Sequence, residues 1–457
     1  MIFKNKAPEA TAIKPPNTKK KKWGVKRVAL LCCLSLLLII VAAGGTFAAK
    51  TYLALKKVVV EKKDFTAEGL KGDLDLTKLG VEGSGRVNVL LLGVGDEGHA
   101  GELLSDTMIF ASIDPKSREV VMVSLPRDLY VKIPGYWWSK INAAHAFAEQ
   151  DKTGSGPEVA KATVSEVLGQ PIHYFVRVDF TGLKKAVDAL GGVDIYNKES
   201  LSDYDYPCER NEGLACGFNL KAGFYHMDGA LALKYARCRK GTCGDDFGRA
   251  ARQQSVVVAM RDQALKAGNI LNPTKVSELI DIVGGHLKTD MSTDEIRKFI
   301  EVGRRIDSNQ LRSKVLDGEN EGLVRTSYVG DASVVVPVAG VGNYAAIRAF
   351  VAKYLLDGYI VAEQAKVEIQ AAGAGPAKVY EFQNRLRSLG YNVVAVRYDS
   401  AGDSKTSITK FNDQKPYTIK YLENRLNTTA TSDNKQKSQS SDIIIMLGND
   451  YEPKDGN

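Results

Sequence analysis

An uncharged apolar run near the N-terminus constrains the fold of this chain more than any other feature. The run VALLCCLSLLLIIVAAGGTFAA, residues 28–49, is long enough to cross a hydrocarbon core of about 30 Å as a helix. A cleaved secretion signal is the alternative, but its apolar segment usually has only roughly 7 to 15 residues. The sequence therefore predicts an uncleaved transmembrane helix at 28–49.

The residues before this run are strongly basic. Residues 1–27 carry nine Lys or Arg side chains and one acid, a net charge of +8 that equals the formal charge of the whole chain. Positive residues mark the cytoplasmic side of a span, so 1–27 is predicted to be a cytoplasmic tail of a single-pass cell-membrane protein whose bulk is extracellular. Because that bulk is close to neutral, no nucleic-acid partner is expected.

Beyond the span, the pattern changes from a polar stalk to a folded domain. Residues 50–85 are rich in Lys, Asp and Gly, and the apolar strand VNVLLLGVG follows. TMIFASI and EVVMVSL then predict a hairpin with its turn at Asp114 and Pro115, and PEVAKATVSEVLG and TGLKKAVDALGG predict helices on either side of the strand YFVRVDF. Helical patterns continue to residue 306, and VVVPVAG suggests a closing strand. Residues 86–356 are thus expected to form an α/β (mixed α+β) domain with a central mixed sheet.

A smaller unit follows at residues 364–450. The apolar segments KVEIQAAG, YNVVAVRY and DIIIMLG alternate with two helical patterns. This order predicts a compact β-α-β type module.

Four cysteines lie in the part of the chain predicted to be extracellular, where disulfides persist. A zinc site is the alternative, but the spacings lack a paired CxxC pattern. The short, glycine-containing intervals favour Cys208 with Cys216 and Cys238 with Cys243. Crossed pairing stays open, because four cysteines allow three connectivities.

Charged and amide side chains are concentrated in DDFGRAARQQ, residues 245–254. A solvated helix face with a weak ion pair is one explanation. The side chains that would share one helix face, at intervals of three or four, are Asp245 or Asp246, Arg249, Arg252 and Gln253. Further candidates at strand ends and in YARCRK are Asp96, Asp106, Arg127, Arg237 and Arg239.

These residue types suit phosphoryl transfer. Guanidinium groups match phosphate oxygens, and carboxylates at strand ends can hold a hard divalent cation such as Mg²⁺. Positioning and charge neutralisation supply most of the catalysis in that chemistry. No Ser/His/Asp or Cys/His arrangement stands out among the five scattered histidines, which disfavours acyl transfer.

Six motifs in order carry a family resemblance: NVLLLGVGD, SDTMIFASIDPKSREVVMVSLPRDLYVKIPG, SKINAAHAF, VDFTGLKKAVDALGGVDI, MDGALALKYARCRK and DDFGRAARQQ. Over about residues 86–351 the chain resembles the LytR-CpsA-Psr family of cell-wall glycopolymer ligases, and the tail resembles the C-terminal domain often attached to it. The resemblance implies transfer of a phosphoglycan, such as a teichoic acid or capsule polysaccharide, from a polyprenyl-pyrophosphate carrier to peptidoglycan. The reaction would occur at the outer face of the membrane.

The resemblance also implies roles for individual residues. Asp96 and Asp106 would bind Mg²⁺ or Mn²⁺, and Asp106 with Arg127 would be catalytic. The implied pyrophosphate-binding residues are Arg127, Arg237, Arg239, Arg249 and Gln253. The implied supporting residues are Asp246, which would orient the arginines, Arg252, which would hold a salt bridge, and Lys140 of the SKIN motif.

Two further expectations concern the loop before SDTM. The family usually has an arginine directly before this motif, where the chain has Leu104, and His99 is expected to be a solvent-exposed loop residue. The functional alternatives are a non-catalytic module that binds polyprenyl phosphate or the cell wall, and a pyrophosphatase acting on the same lipid. A binding module would not need Asp106, whereas a pyrophosphatase would admit water to the site.

Overall fold

The computed structural model describes residues 59, 85–99, 101–208, 211–266, 279, 281–306, 310–317, 322–398, 405–433 and 440–452. The predicted tail at 1–27 and span at 28–49 lie outside these residues, as does the stalk apart from Val59 and Gly85. None of the described helices is both long and apolar enough to span a bilayer.

Helices separate runs of strands along the chain, and the sequence changes between two-residue and 3.6-residue periodicity accordingly. The strands are β1 (Val87–Gly93), β2 (Thr107–Ile113), β3 (Val120–Ser124), β4 (Tyr130–Lys132), β5 (Trp138–Lys140), β6 (Tyr174–Val178), β7 (Val193–Asn197), β8 (Leu201–Asp203), β9 (Pro207–Cys208), β10 (Asn211–Ala215), β11 (Phe218–Leu220), β12 (Gly223–Met227), β13 (Leu287–Thr289), β14 (Leu311–Val315), β15 (Val324–Val329), β16 (Ala332–Pro337), β17 (Lys366–Ala371), β18 (Asn392–Tyr398), β19 (Ser407–Lys410), β20 (Thr431–Ser432) and β21 (Ile443–Leu447).

The helices pack against the sheets and carry much of the site. They are α1 (Ala143–Asp151), α2 (Gly156–Leu168), α3 (Phe180–Ala189), α4 (Gly229–Arg237), α5 (Asp245–Lys266), α6 (Thr293–Arg304), α7 (Ala345–Tyr354), α8 (Gly358–Glu363), α9 (Pro376–Ser388) and α10 (Pro416–Leu426). A single turn of 3₁₀ helix, Gly241–Cys243, lies between α4 and α5.

A six-stranded mixed sheet forms the centre, in the order β13-β6-β1-β2-β3-β14. β1 pairs in parallel with β6 and antiparallel with β2. Leu90 and Phe110 belong to the main core on one face, whereas Val89 and Ile109 belong to smaller cores on the other. Because apolar side chains cover both faces, these central strands are continuously apolar. The predicted α/β fold with a central mixed sheet is confirmed.

The predicted β2–β3 hairpin is confirmed. Its two strands pair antiparallel from Ile109 opposite Ser124 to Ile113 opposite Val120. The Asp114 carboxylate accepts hydrogen bonds from two backbone N–H groups of the turn, which explains why an aspartate stands there. The hairpin brings the residue before β2 next to the loop after β3, and both carry candidate site residues.

Two sequence expectations about strands were wrong. VVVPVAG supplies β16, but β16 forms a separate two-stranded sheet with β15, and its Val335 makes an isolated bridge to Leu129. The outer strand of the central sheet is β14, which pairs in parallel with β3 and has the polar sequence LRSKV. Helical patterns were expected after α3, whereas residues 193–227 form the short hairpin partners β7 to β12.

The C-terminal module has its own sheet, in the order β18-β17-β21-β19-β20, and its own hydrophobic core between Ile360 and Leu447. β17 pairs in parallel with β18 and with β21, as a β-α-β arrangement requires. β19 and β20 add to the predicted strands.

A buried arginine joins this module to the central sheet. Arg86 is 2% exposed and donates hydrogen bonds to Ser112, Asp114 and the carbonyl of Leu356. The Asp114 carboxylate also accepts a bond of 2.6 Å from the Gly358 backbone N–H at the start of α8. The start of β1 and the connection into the second module are therefore held by one polar network.

Candidate functional site

The site is built around Arg127, in the loop that follows β3. Its Nη1 donates to Asp106 Oδ1 at 2.8 Å. Asp106 directly precedes β2, so the antiparallel hairpin itself places the two side chains together. The predicted catalytic pair, Asp106 and Arg127, thus lies where β2 begins and β3 ends. Both side chains are only partly buried there.

One carboxylate is shared among three arginines. Asp246, in the first turn of α5, lies 3.5 Å from Arg127 Nε, 3.1 Å from Arg249 Nη2 and 3.9 Å from Arg239 Nη1. This arrangement is what an arginine-orienting acid requires. Its neighbour Asp245 instead uses its carboxylate locally, to accept from the Phe247 backbone N–H at the helix start.

Burial and charge act differently on the two innermost arginines. Burial alone would lower the pKa of Arg127, but the negative charges of Asp106, Asp246 and Asp128 raise it above its usual value. For Arg249, 6% exposed, desolvation dominates and lowers the pKa despite Asp246. In the part of the chain that the structure describes, the Nε atoms of both arginines are buried without a hydrogen-bond partner. Buried donors of this kind favour an incoming anion that would accept from them.

A second group of residues lies at the start of α3. Arg237 stacks over the Phe180 ring at 4.3 Å and its Nη2 lies 3.2 Å from Nε2 of His99. Both oxygens of Asp96 accept from Thr181, one from its backbone N–H at 2.8 Å and one from its hydroxyl at 2.9 Å. The expectation that His99 is a solvent-exposed loop residue was wrong, because its ring packs edge-on against Phe180 and contacts Arg237.

Arg252 lies behind the site rather than in it. Its guanidinium is buried and donates to the backbone carbonyls of Tyr235, Cys238 and Cys243. The expected salt bridge was wrong: three carbonyls take the place of a carboxylate partner. Burial lowers the pKa of Arg252 to about 10.

Two disulfides close short loops, and one of them joins the two cysteines whose carbonyls Arg252 contacts. The structure pairs Cys208 with Cys216 and Cys238 with Cys243, the local connectivity that the short intervals favour. Cys238 stands between Arg237 and Arg239, so the second bridge and Arg252 together fix the backbone that carries both arginines. Disulfide sulfurs offer no thiolate to a metal, so the alternative of a zinc site at these cysteines is wrong.

We expect Arg252→Met to lower the free energy of unfolding by about 3 kcal/mol, because three buried carbonyls would lose their donor. Chemical denaturation under non-reducing conditions measures this. Arg305→Met is a matched control, since Arg305 is 62% exposed in its ion pair with Glu301. Equal free energies of unfolding for both variants would contradict a stabilising role of the Arg252 hydrogen bonds.

Lys140 and Gln253 border the site. Lys140 Nζ lies 2.8 Å from Asp128 Oδ1, and Asp128 adjoins Arg127, which gives Lys140 an indirect link to the Asp106–Arg127 ion pair. Gln253 is four residues after Arg249 on α5 and therefore on the same face. The sequence did not single out Gln254, which is buried and donates to Ser124 and to a β14 carbonyl, and so anchors α5 to the sheet.

The carboxylates at this end of the sheet suit a hard divalent cation whose other ligands would be waters and phosphate oxygens. Asp106 is partly exposed and accepts a hydrogen bond from Arg127 through one oxygen, whereas both oxygens of Asp96 are bonded to Thr181. Among the described residues, three potential metal-ligand atoms come together at Asp203, Cys238 and Cys243. This group includes neither Asp96 nor Asp106. Mg²⁺ typically uses one or two carboxylates together with waters and substrate phosphates, and Asp106 can serve in that way.

The chain matches known proteins along the stretch that holds these residues. A profile of the LytR_cpsA_psr family matches residues 49–336. An Oceanobacillus iheyensis protein named polyisoprenyl-teichoic acid–peptidoglycan teichoic acid transferase TagU is 35% identical over 238 residues, which cover 51% of this chain and 68% of that protein. The protein of the same name from Enterococcus faecalis is 33% identical over 215 residues, covering 46% and 64%. The crystal structure of Bacillus subtilis TagV is 26% identical with a TM-score of 0.47, covering 59% of this chain and 97% of that one.

Proposed function

The chain belongs to the LytR_cpsA_psr family, and we propose that it transfers a phosphoglycan from a polyprenyl-pyrophosphate carrier to a hydroxyl of peptidoglycan. Relatives whose names state a teichoic acid transferase activity support this class of donor and acceptor. Glycopolymer attachment to the cell wall is therefore the reaction in which the site residues are assigned roles below.

The observation that carries the proposal is the convergence of three arginines on Asp246. Three guanidiniums converge on this carboxylate, and two of them have buried Nε atoms that lack a hydrogen-bond partner within the described structure. A pyrophosphate supplies the acceptor oxygens that these donors need. Arginine forks bind such groups through paired hydrogen bonds.

The reaction requires one bond to form and one to break. The acceptor hydroxyl oxygen forms a bond to the glycan-bearing phosphorus, the P–O bond between the two phosphates breaks, and polyprenyl phosphate leaves. The hydroxyl proton passes to solvent. Arg127 and Arg249 are placed to stabilise the charge that builds up on the phosphate oxygens, which is the main source of rate in phosphoryl transfer.

We assign the remaining site residues by their positions. Arg239 and Arg237 would hold the second phosphate of the pyrophosphate, and Gln253 would donate to it from the face of α5. Asp246 would keep the arginines apart and oriented. Asp106 and Asp96 would hold Mg²⁺ or Mn²⁺, which would neutralise phosphate charge when bound. Lys140 would support Arg127 through its contact with Asp128. Arg252 would support Arg237 and Arg239 by holding the disulfide-closed loop that begins between them.

The proposed place of action rests on the basic and apolar segments at residues 1–49. We propose that residues 28–49 anchor the protein in the cell membrane, with 1–27 in the cytoplasm and the catalytic domain outside, where a membrane lipid carrier and peptidoglycan meet. The two disulfides support an extracellular position, because such bonds persist in oxidising compartments.

The test is reconstituted transfer with purified full-length protein. Lipid-linked glycan carrying a radiolabelled sugar is incubated with peptidoglycan and Mg²⁺, and label in the insoluble wall fraction is measured. Attachment with release of polyprenyl phosphate is expected. Release of free glycan phosphate without attachment would favour the pyrophosphatase, and saturable lipid binding without turnover would favour the non-catalytic module.

A further inference from the structure

A short hairpin beside the arginine site presents an alternating set of aromatic and basic side chains. β4 and β5 pair antiparallel, with Tyr130 opposite Lys140 and Lys132 opposite Trp138. Because alternate residues of a strand point to one face, these four side chains lie together on the outward face, and we refer to them as the aromatic ladder. The residue between them on β4, Val131, is fully buried on the opposite face.

The two rings of the aromatic ladder form a platform. Tyr130 and Trp138 are stacked, with ring centroids 5.7 Å apart and planes 27° apart. Trp138 is 38% exposed, so part of its ring is accessible to a ligand. Aromatic faces carry partial negative charge, so they attract the polarised C–H groups on the flat side of a pyranose ring.

The lysines give the platform a preference for negative charge. Lys132 Nζ donates to the backbone carbonyl of Tyr136 rather than to a carboxylate, so its charge is available to a ligand. At the other end, Lys140 contacts Asp128, which in turn lies beside Arg127. The aromatic ladder is therefore continuous with the arginine site and leads away from it along the hairpin.

We propose that the aromatic ladder binds the first sugar rings of the donor glycan, next to the phosphate that reacts. This inference rests on the proposed function and identifies the donor-chain subsite within it. Adjacent residues on one strand face are about 7 Å apart, so the length of the ladder suits about two pyranose rings. An anionic sugar phosphate fits both the stacked rings and the flanking cations, whereas a neutral acceptor glycan would leave the cations unused.

The probe is N,N′-diacetylchitobiose 1-phosphate, which carries two pyranose rings and one phosphate but no lipid. Binding to the full-length protein in detergent is measured by titration calorimetry. We expect Trp138→Leu to weaken binding about tenfold and Trp138→Phe to stay close to wild type, because the second variant keeps an aromatic face. Trp137→Leu is the matched control, since Trp137 is 61% exposed and packs against Phe147 instead.

The outcomes that overturn the inference differ from the outcome that overturns the proposed function. Binding by Trp138→Leu equal to wild type, or no binding by the wild-type protein, would remove the subsite. Equal binding of unphosphorylated diacetylchitobiose would assign the platform to a neutral acceptor glycan. Transfer assayed in the same preparations separates this inference from the proposed function: wild-type transfer with an unaffected Trp138→Leu contradicts only the subsite, and bound probe without any transfer contradicts only the function.

Discussion

Replacing Arg127 with alanine is expected to lower kcat/KM for glycan transfer about a thousandfold. Arg127 contacts both Asp106 and Asp246, so its guanidinium is held at the end of β3 within the site. The loss should fall mainly on kcat, because charge develops on the phosphate oxygens in the transition state. Initial rates with lipid-linked substrate measure both parameters.

Two further variants sharpen this prediction. Arg127→Lys keeps the charge but loses the planar fork, so we expect only partial recovery of activity. Arg312→Ala removes an arginine of β14 whose Nε is 2.7 Å from Glu119 and which is 56% exposed, and it should leave transfer unchanged. Normal turnover by folded Arg127→Ala would show that the chemistry takes place elsewhere.

Much of the fold follows from local patterns in the sequence. β1, β2 and β3 are continuously apolar because helices cover both faces of the sheet, and such runs are recognisable without a partner. By contrast, β14 is a sheet edge with one solvated face, so its sequence LRSKV lacks an apolar signal. The strongly apolar β16 was assigned to the wrong sheet, because composition predicts a strand but not its partner.

The site shows the same division between residue type and position. Residue type predicts the arginines of YARCRK and DDFGRAARQQ as phosphate ligands, and their spacing on one helix leaves Asp245 or Asp246 as the acid that would orient them. The partners of Arg252 could not be predicted, because they are backbone carbonyls positioned by a disulfide-closed loop. The same holds for His99, whose contact with Arg237 joins residues 138 positions apart.

The second large effect concerns the metal. We expect Asp106→Asn to lower transfer at least about a hundredfold and to remove its stimulation by Mg²⁺, because an amide is a weaker ligand for a hard cation than a carboxylate. Asparagine keeps the size of the side chain and can still accept a hydrogen bond from Arg127, so the sheet edge should stay intact. Rates measured over a Mg²⁺ titration, after treatment with a chelator, test this expectation.

A binding readout separates loss of the metal from loss of the Arg127 ion pair. Mn²⁺ binding in the presence of inorganic pyrophosphate, followed by electron paramagnetic resonance, should weaken at least about tenfold in Asp106→Asn. Arg127→Ala also breaks the ion pair but keeps the carboxylate, so it should retain Mn²⁺ binding through Asp106. Asp294→Asn, at an exposed ion pair of α6, should match wild type in both measurements. Unchanged Mn²⁺ affinity in Asp106→Asn would assign the cation to other ligands and leave Asp106 the role of orienting Arg127.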